Sequence, residues 1–232
     1  MTQQVALVTG ANGDMGQGIC ACLAAAGWHV IASDIGPDGR GFYDYLPCDL
    51  ADLGALRGMI AKVEQKSGPV RALVNNAGIW NGAHFFDITP ESYDRTFDVN
   101  ARAGFFATQI VTRRLIELKL TGAVVNIGSL VAEIGSQIID YAGSKSAVSI
   151  FTKSLAKTLG PHGIRINTIA PGSIDTAMSR QPDPARRAEV AASIGLRRIG
   201  TPSEIGDAVA YLVSDRASYI TGALLDVHGG WG

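Results

Sequence analysis

Short apolar runs alternate with stretches of helical periodicity along most of the chain. The opening run QVALVT is followed by a glycine-rich turn and then by apolar residues at helical spacing, and similar units recur. Parallel strands need crossover connections, so this alternation predicts a single α/β domain spanning 1–232 with a doubly wound, parallel, seven-stranded, Rossmann-like sheet. The predicted strands are 4–9, 29–33, 43–46, 71–74, 123–129, 164–170 and 223–230.

Helix boundaries are marked by capping residues and by breakers. Gly68 and Pro69 end a helix that begins near Leu53. Thr89 caps a helix of about thirty residues that has Pro90 first and ends near Lys119. Thr201 opens another helix with a capping box. The richness of 177–198 in Arg, Pro and Ala predicts a mobile substrate flap with a short helix.

The connection between the second and third predicted strands is unusually short. Only IGPDGRGF lies between Asp34 and the third strand, which begins near Tyr43. A parallel crossover usually takes a dozen residues or more. We therefore expect a tight loop in place of the usual helix.

Composition limits the classes of function. The chain has 232 residues, of which 47% are apolar and 18% charged, and its net charge of -1 argues against a nucleic-acid partner. It contains no apolar run of eighteen residues and no room for a signal peptide before Val5. The lack of such a run predicts no membrane partner. The three cysteines are odd in number and lack metal-ligand spacing, so we expect no metal site, reduced thiols and a cytoplasmic location.

The first strand, the turn GANGDMG and the helix that follows are typical of a dinucleotide-binding unit. Glycines let the backbone approach a pyrophosphate, and a helix N-terminus favours an anion. Asp34 ends the second strand about twenty residues later, where a carboxylate accepts hydrogen bonds from a ribose. Asp49 and Leu50 end the third strand and are candidates for flanking an adenine. A turn without any ligand would explain the glycines equally well.

Tyr141 and Lys145 suggest acid/base chemistry. Their spacing of four places both side chains on one face of a helix, and Ser129 ends the preceding strand. An ammonium beside a phenol favours the phenolate, which predicts a lowered pKa for Tyr141. These groups suit proton transfer to a carbonyl or from an alcohol. The pair alone is also common by chance on amphipathic helices.

Two further polar features stand out. The fourth strand runs into Asn75-Asn76-Ala77-Gly78, a turn typical of a ligand crevice and equally sensible without a ligand. Asn100 is a polar residue inside an apolar helix. It is either a buried amide that holds backbone groups or a part of the active site.

Together these motifs resemble the classical short-chain dehydrogenase/reductase family over essentially the whole chain. Thr9-Gly10 with Gly16 resembles the T-G-x-x-x-G-x-G turn, and Tyr141 with Lys145 matches Y-x-x-x-K. Asn75 to Gly78 matches N-N-A-G, and Pro171-Gly172 matches the P-G turn. The resemblance implies a catalytic tetrad of Asn100, Ser129, Tyr141 and Lys145. It also implies a cofactor site formed by Gly10, Asn12, Gly13, Asp14, Met15, Gly16, Asp34, Asp49, Leu50, Asn76, Ala77, Gly78, Tyr141, Lys145, Pro171, Gly172, Ile174 and Thr176.

The chain departs from the family pattern in three places. Asp14 stands where the motif has its middle glycine, which suggests that Asp14 caps the first helix. The spacing from Ser129 to Tyr141 is one residue short, and His228 replaces the aspartate of a D-G-G motif.

The expected function is NAD(H)-dependent interconversion of a small, mostly apolar secondary alcohol and its ketone. NAD is expected because Asp34 would repel the 2′-phosphate of NADP, unless the short loop folds Arg40 over the ribose. A homotetramer is expected because two helices carry apolar residues on more than one face. The alternatives are a non-catalytic NAD-binding regulator and a dehydrogenase of a cyclic diol or an acyl-carrier substrate. Candidate substrate residues are Trp80, Ser129, Val131, Ile138, Tyr141 and Met178.

Overall fold

A computed structural model describes residues 3–41, 44–179 and 183–231. The first half of the chain contains β1 (Val5–Thr9), α1 (Asp14–Ala25), β2 (His29–Asp34), β3 (Asp44–Pro47), α2 (Leu53–Ser67), β4 (Val70–Asn75), α3 (Pro90–Phe97) and α4 (Ala103–Glu117). The second half contains β5 (Gly122–Ile127), α5 (Val131–Ile134), α6 (Ile139–Leu159), β6 (Ile164–Pro171), α7 (Pro184–Ser193), α8 (Pro202–Val213) and β7 (Leu224–Val227).

The seven strands form one parallel sheet in the order β3-β2-β1-β4-β5-β6-β7. The predicted doubly wound α/β fold is therefore confirmed. Strands β2 and β3 lie on one side of β1 and strands β4 to β7 on the other, so the strand order reverses between β1 and β4. In such sheets ligands bind where the strand order reverses, outside the carboxyl ends of the strands.

The two faces of the sheet carry separate apolar layers, as the alternation along β1 shows. Ala6 and Val8 pack with Ile19 of α1 and Ile205 of α8. Val5 and Leu7 face the opposite layer, which includes residues of α2 and α4. Burial on both faces explains why β1 is a continuous apolar run.

The short β2–β3 connection is a loop in its described part. Residues 35–41 contain no helix, as predicted, and β3 pairs with β2 from Asp44 onward. Tyr43, where the third strand is expected to begin, lies outside the described residues. The side chain of Tyr45 donates a hydrogen bond to Asp34 O over 3.1 Å and also bonds Gly36 O, which holds the loop against β2.

The thirty-residue helix predicted from Thr89 to Lys119 is interrupted, so that prediction was wrong in its continuity. Thr89 does cap α3, in a capping box with Ser92. A π-helical turn at Asp98–Arg102 then separates α3 from α4. Single π turns are rare and often occur at functional sites. Apolar periodicity did not reveal this turn.

The flap region contains the expected short helix, α7, whose N-cap is Asp183. Residues 180–182 of the flap lie outside the described part of the chain. After α7, Gly195 and Leu196 pair with Gly230 and Gly229 near the C-terminus. His228 belongs to that turn, where its Nδ1 accepts a hydrogen bond from Trp231 N over 3.0 Å.

The three cysteines are free thiols, and two of them are buried. In the described ranges, no helix has both the length and the apolar character needed to cross a bilayer.

Helices α1 and α8 pack so closely that glycine is required at their contact. A Cβ on Gly206 would lie 2.6 Å from Gly18 O and 2.7 Å from Cys22 Sγ. We therefore expect Gly206→Ala to lower the free energy of unfolding by about 1–3 kcal/mol through overpacking. Gly58 in α2 is the matched control, because a Cβ there meets no atom within 4 Å. Gly58→Ala should stabilise by about 0.5–1 kcal/mol, and urea denaturation measures both. Equal effects of the two substitutions would contradict the packing argument.

Candidate active site

A cleft of about 580 Å³ lies where six of the strands end. All sixteen cofactor residues outside the tetrad that the sequence suggested contribute to its lining, together with Ser129, Tyr141 and Lys145. Those sixteen are Gly10, Asn12, Gly13, Asp14, Met15, Gly16, Asp34, Asp49, Leu50, Asn76, Ala77, Gly78, Pro171, Gly172, Ile174 and Thr176. The parallel sheet thus brings residues from distant segments to one edge.

The glycine turn is held tightly at the start of α1. Gly10 adopts a φ of 64°, and a Cβ there would lie 2.6 Å from Ala77 Cα. A Cβ on Gly16 would collide with Gly10 O. The Asn76 side chain donates to Thr9 O and Gly10 O over 2.9 Å each, which fixes the turn against β4. Two of the glycines are therefore needed for close backbone approach.

Asp14 does not cap α1, contrary to expectation. The N-cap is Gly13, which makes no side-chain capping bond, and Asp14 is the first residue of the helix. Its carboxylate instead accepts a hydrogen bond from Ala177 N over 2.7 Å. Asp14 therefore joins the glycine turn to the beginning of the flap.

Asp34 lies at the end of β2, and its two carboxylate oxygens accept different backbone N–H groups. Oδ2 accepts from Asn12 N over 2.9 Å, and Oδ1 accepts from Ile35 N over 2.7 Å. The Asn12 side chain in turn holds the short loop, because it donates to Asp38 O over 3.0 Å and accepts from Arg40 N over 3.2 Å. The loop thereby brings Arg40 into the lining of the cleft.

Arg95 is a cleft residue that the sequence did not indicate. Its Nη1 lies 3.2 and 3.3 Å from the two oxygens of Asp49, on the side where an adenine was expected. Arg95 lies on α3, within the helix that periodicity treats as an ordinary amphipathic one. The pairing with Asp49 spans 46 residues, so no local signal identifies it.

Tyr141 and Lys145 both lie on α6, as predicted, and Ser129 lies two residues beyond the end of β5 rather than within the strand. Lys145 is fully buried apart from 2% of its surface, and its Nζ donates to Ile127 O over 2.8 Å. Burial lowers the pKa of Lys145 to about 8. The same Nζ lies 5.8 Å from the centroid of the Tyr141 ring.

The pKa of Tyr141 departs from the expected direction. Burial raises it, and a hydrogen bond with Ser129 partly offsets the increase. The expected lowering by Lys145 is wrong for the chain by itself, because desolvation of the phenolate dominates. An additional positive charge near the phenol would lower the pKa of Tyr141.

Asn100 lies in the π-helical turn and holds a neighbouring loop. Its Oδ1 accepts from Ile79 N over 2.8 Å, and its Nδ2 donates to Ile79 O over 2.9 Å and to Ser144 Oγ over 3.0 Å. Ser144 also donates to Tyr141 O over 2.7 Å. The contacts are those of a buried amide that holds backbone groups, and they tie the loop after β4 to the helix that carries Tyr141.

Only some of the candidate substrate residues line the cleft. Met178 lines the cleft, whereas Trp80, Val131 and Ile138 are not part of its lining. Trp80 is 42% exposed. Its neighbour Ile79 is hydrogen-bonded to Asn100. On its other side, Asn81 Nδ2 donates a hydrogen bond to the buried Asp140 over 3.2 Å. These two contacts fix the loop at the edge of the site rather than inside it.

Among the residues that the structure describes, ten line the cleft without belonging to the predicted cofactor, catalytic or substrate residues. Some follow directly from neighbours that were predicted, such as Ile35 after Asp34 and Gly128 before Ser129. Others depend on tertiary contacts that carry no local signal. The ten are Ile35, Arg40, Cys48, Ile79, Arg95, Val99, Ile127, Gly128, Ala177 and Ser179.

The fold and the cleft define a Rossmann-type protein whose predicted cofactor residues meet beside Ser129, Tyr141 and Lys145. The family model described as enoyl-(acyl carrier protein) reductase matches residues 10–232. The chain belongs to the short-chain dehydrogenase/reductase family of oxidoreductases.

Several relatives are similar over nearly their whole length. Nodulation protein G of Azospirillum brasilense is 36% identical over 244 residues, covering 99% of this chain and 98% of the relative. The 3-oxoacyl-[acyl-carrier-protein] reductase FabG of Escherichia coli (strain K12) is 34% identical over 236 residues, covering 98% and 96%.

Solved structures agree in fold. A blue fluorescent protein from a metagenomic library, in complex with NADPH, has a TM-score of 0.90 at 32% identity, covering 100% of this chain and 98% of its own. The ligand-free aldohexose dehydrogenase of Thermoplasma acidophilum has a TM-score of 0.93 at 32% identity, covering 99% and 94%.

The burial of Lys145 predicts a pH-dependent stability. The folded pKa of about 8 lies below the ordinary 10.5, so the unfolded chain holds more protons between these values. Stability conferred at this position therefore rises with pH across that window. Relative to Lys145→Met, we expect the wild type to gain about 2–3 kcal/mol of unfolding free energy from pH 7.5 to 10.5.

Denaturant titrations at each pH measure this difference. Comparison with the variant cancels the opposing contribution of Cys20, whose pKa burial raises to about 12. Lys157→Met is the matched control, since it removes a lysine that is exposed on the same helix. A difference for Lys145→Met that stays flat with pH would show that Lys145 is not desolvated in the folded protein.

Proposed function

We propose that this protein transfers hydride between a secondary alcohol or ketone and NAD(H). One observation carries the proposal: Ser129, Tyr141 and the buried Lys145 border the same cleft as Asp34 and the start of α1. A dinucleotide-binding turn and a proton-transferring group are both needed for this reaction, and here they share one cavity.

The residues present fit a nicotinamide dinucleotide. Gly10 and Gly16 keep the turn compact, because a Cβ at either position would collide with protein backbone, and the N-terminus of α1 favours an anion there. In our proposal Asp34 binds the adenosine ribose, and Asp49 and Leu50 flank the adenine. Lys145 binds the nicotinamide ribose, and Ile174 and Thr176 contact the carboxamide. The bound cofactor would supply or accept the hydride.

The chain itself would manage the proton and the developing charge. Ser129 would hydrogen-bond the substrate oxygen, and Tyr141 would give its proton to that oxygen or take one from it. Two positive charges, Lys145 and an oxidised nicotinamide, would counter the burial that raises the pKa of Tyr141. Asn100 is proposed to hold the π-helical turn and a proton-relaying water beside it.

The proposed substrate is a small, largely apolar secondary alcohol or ketone. Support comes from Met178 in the cleft lining and from the partly exposed Trp80 at its edge. A 3-oxoacyl group on a carrier is the second candidate, because relatives such as FabG of Escherichia coli are named for that substrate. We further propose a cytoplasmic homotetramer, which is supported by the exposed Ile150 of α6 and by Phe105 of α4 and Phe151 of α6, both of which are only partly buried.

Tyr141→Phe tests the proposed chemistry. The substitution removes the hydroxyl that donates the proton. Every other proposed contact with the cofactor stays in place. We expect turnover to fall at least about 100-fold, the lower range for general acid–base catalysis, with NADH affinity nearly unchanged. Initial rates should be screened with secondary alcohols, their ketones and a 3-oxoacyl thioester, alongside NADH fluorescence titrations.

Tyr45→Phe serves as the control, because Tyr45 is a hydroxyl-bearing residue that holds the β2–β3 loop and does not line the cleft. Activity retained by Tyr141→Phe above a few per cent would remove Tyr141 from the mechanism. Binding of NADH without turnover of any substrate would favour the non-catalytic regulator instead.

Cofactor choice depends on two opposed charges in the cleft, Asp34 and Arg40. The 2′-phosphate of NADP carries about -1.5 to -2 charge. One pair of like charges about 4 Å apart costs about 4 kcal/mol at an effective dielectric of 20. Because solvent and Arg40 reduce this cost, we expect a preference for NAD of about 30-fold, which corresponds to about 2 kcal/mol.

The ratio of kcat/KM for NAD and NADP should be measured in the wild type and two variants. Asp34→Ala should shift the ratio towards NADP, and Arg40→Ala should shift it further towards NAD. Asp38→Ala is the control, since Asp38 is on the same loop but does not line the cleft. Equal or better use of NADP by the wild type would overturn the role given to Asp34.

A further inference from the structure

Asp14 makes a contact across the cleft that the family motif does not anticipate. Its Oδ2 accepts a hydrogen bond from Ala177 N over 2.7 Å, between residues 163 positions apart in the chain. Both residues line the cleft, Asp14 at the glycine turn and Ala177 at the start of the flap. We call this contact the Asp14 clasp.

The position of Asp14 in the turn explains why a side chain is tolerated there. A Cβ on Gly10 or Gly16 would collide with backbone atoms, so neither position can carry a side chain. Gly13, by contrast, would place a Cβ no closer than 3.6 Å to its nearest neighbour, Gly10 O. The middle of the turn is therefore more open, and Asp14 is directed towards the flap rather than into the turn.

The flap end of the clasp is a compact unit. Ser179 N donates to Thr176 O over 3.1 Å, and the Thr176 and Ser179 hydroxyls lie 3.1 Å apart. The carboxylate of Asp175 accepts two hydrogen bonds from the guanidinium of Arg187 on α7, over 3.2 and 2.9 Å. A tether on Ala177 therefore restrains the start of the flap together with α7, rather than a single loose residue.

We propose that the Asp14 clasp retains the cofactor. This inference rests on the function proposed above, in which the diphosphate of the dinucleotide lies at the N-terminus of α1, beside Asp14 and beneath the start of the flap. The clasp must then open for the cofactor to leave, and an ionised acceptor makes its hydrogen bond stronger than a neutral pair would. Asp14 is thus a positioning residue, which acts on the cofactor through the flap.

Two variants separate the hydrogen bond from the charge. Asp14→Ala removes both, whereas Asp14→Asn keeps an acceptor oxygen and removes the negative charge beside the diphosphate. Asp52→Ala is the matched control. Asp52 also stands at a helix start and accepts backbone N–H groups, from Gly54 over 2.7 Å and Ala55 over 3.1 Å, but it does not line the cleft.

Two measurements on the whole protein test the proposal. Stopped-flow fluorescence, with excess NAD+ as the trap, gives the rate of NADH release. Hydrogen exchange of a peptide spanning residues 174–179 reports opening of the clasp, and thermal denaturation identifies variants that fail to fold. For Asp14→Ala we expect release about tenfold faster, a change equivalent to about 1.4 kcal/mol, with faster exchange in the peptide.

The remaining variants complete the test. Asp14→Asn should release NADH within about threefold of the wild-type rate, and Asp52→Ala should change neither measurement. Release by Asp14→Ala within twofold of wild type, or unchanged exchange at 174–179, would overturn the clasp. If Asp14→Ala does not fold, hydrogen exchange in Asp14→Asn decides, because its weaker neutral acceptor should speed exchange at 174–179, and unchanged exchange would overturn the clasp. If the wild type binds neither NADH nor NADPH, the proposed function itself is wrong.

Discussion

The parallel pairing of β1 with β2 on one side and β4 on the other is the constraint on which the rest of this structure depends. It directs the carboxyl ends of all the strands to one edge and opens a crevice where the strand order reverses. Gly10, Asp34, Asn76, Ser129 and Gly172 meet there from five segments. Without this pairing, none of the local motifs would share a cavity.

Burial sets the chemistry at one end of the cleft. Lys145 is fully enclosed, with its ammonium on a backbone carbonyl, and its pKa falls to about 8. The same desolvation raises the pKa of Tyr141, so proximity of a lysine is insufficient to produce a phenolate. The proposed oxidoreductase would therefore gain its reactive phenol only with added positive charge, which couples proton transfer to cofactor binding.

Carboxylates dominate the other end, and each is held by a donor. Asp34 accepts two backbone N–H groups, Asp49 pairs with Arg95, and Asp14 accepts from Ala177 N. These donors fix the orientation of the carboxylates and reduce the cost of placing three acids around one cleft. In the proposed function, this field would disfavour an additional phosphate near Asp34, with Arg40 as the opposing charge. The proposed cofactor preference would then depend on a balance within a short loop.

Sequence alone determined the features that local patterns encode. Apolar periodicity indicated the sheet and most helices, the turn at Gly10 to Gly16 indicated the start of α1, and the spacing of Tyr141 and Lys145 placed them on one helix face. Tertiary structure decided the partner of Asp14, the π-helical turn around Asn100 and the direction of the Tyr141 pKa shift. Those features depend on contacts between residues far apart in the chain and on burial, and neither is written in local sequence.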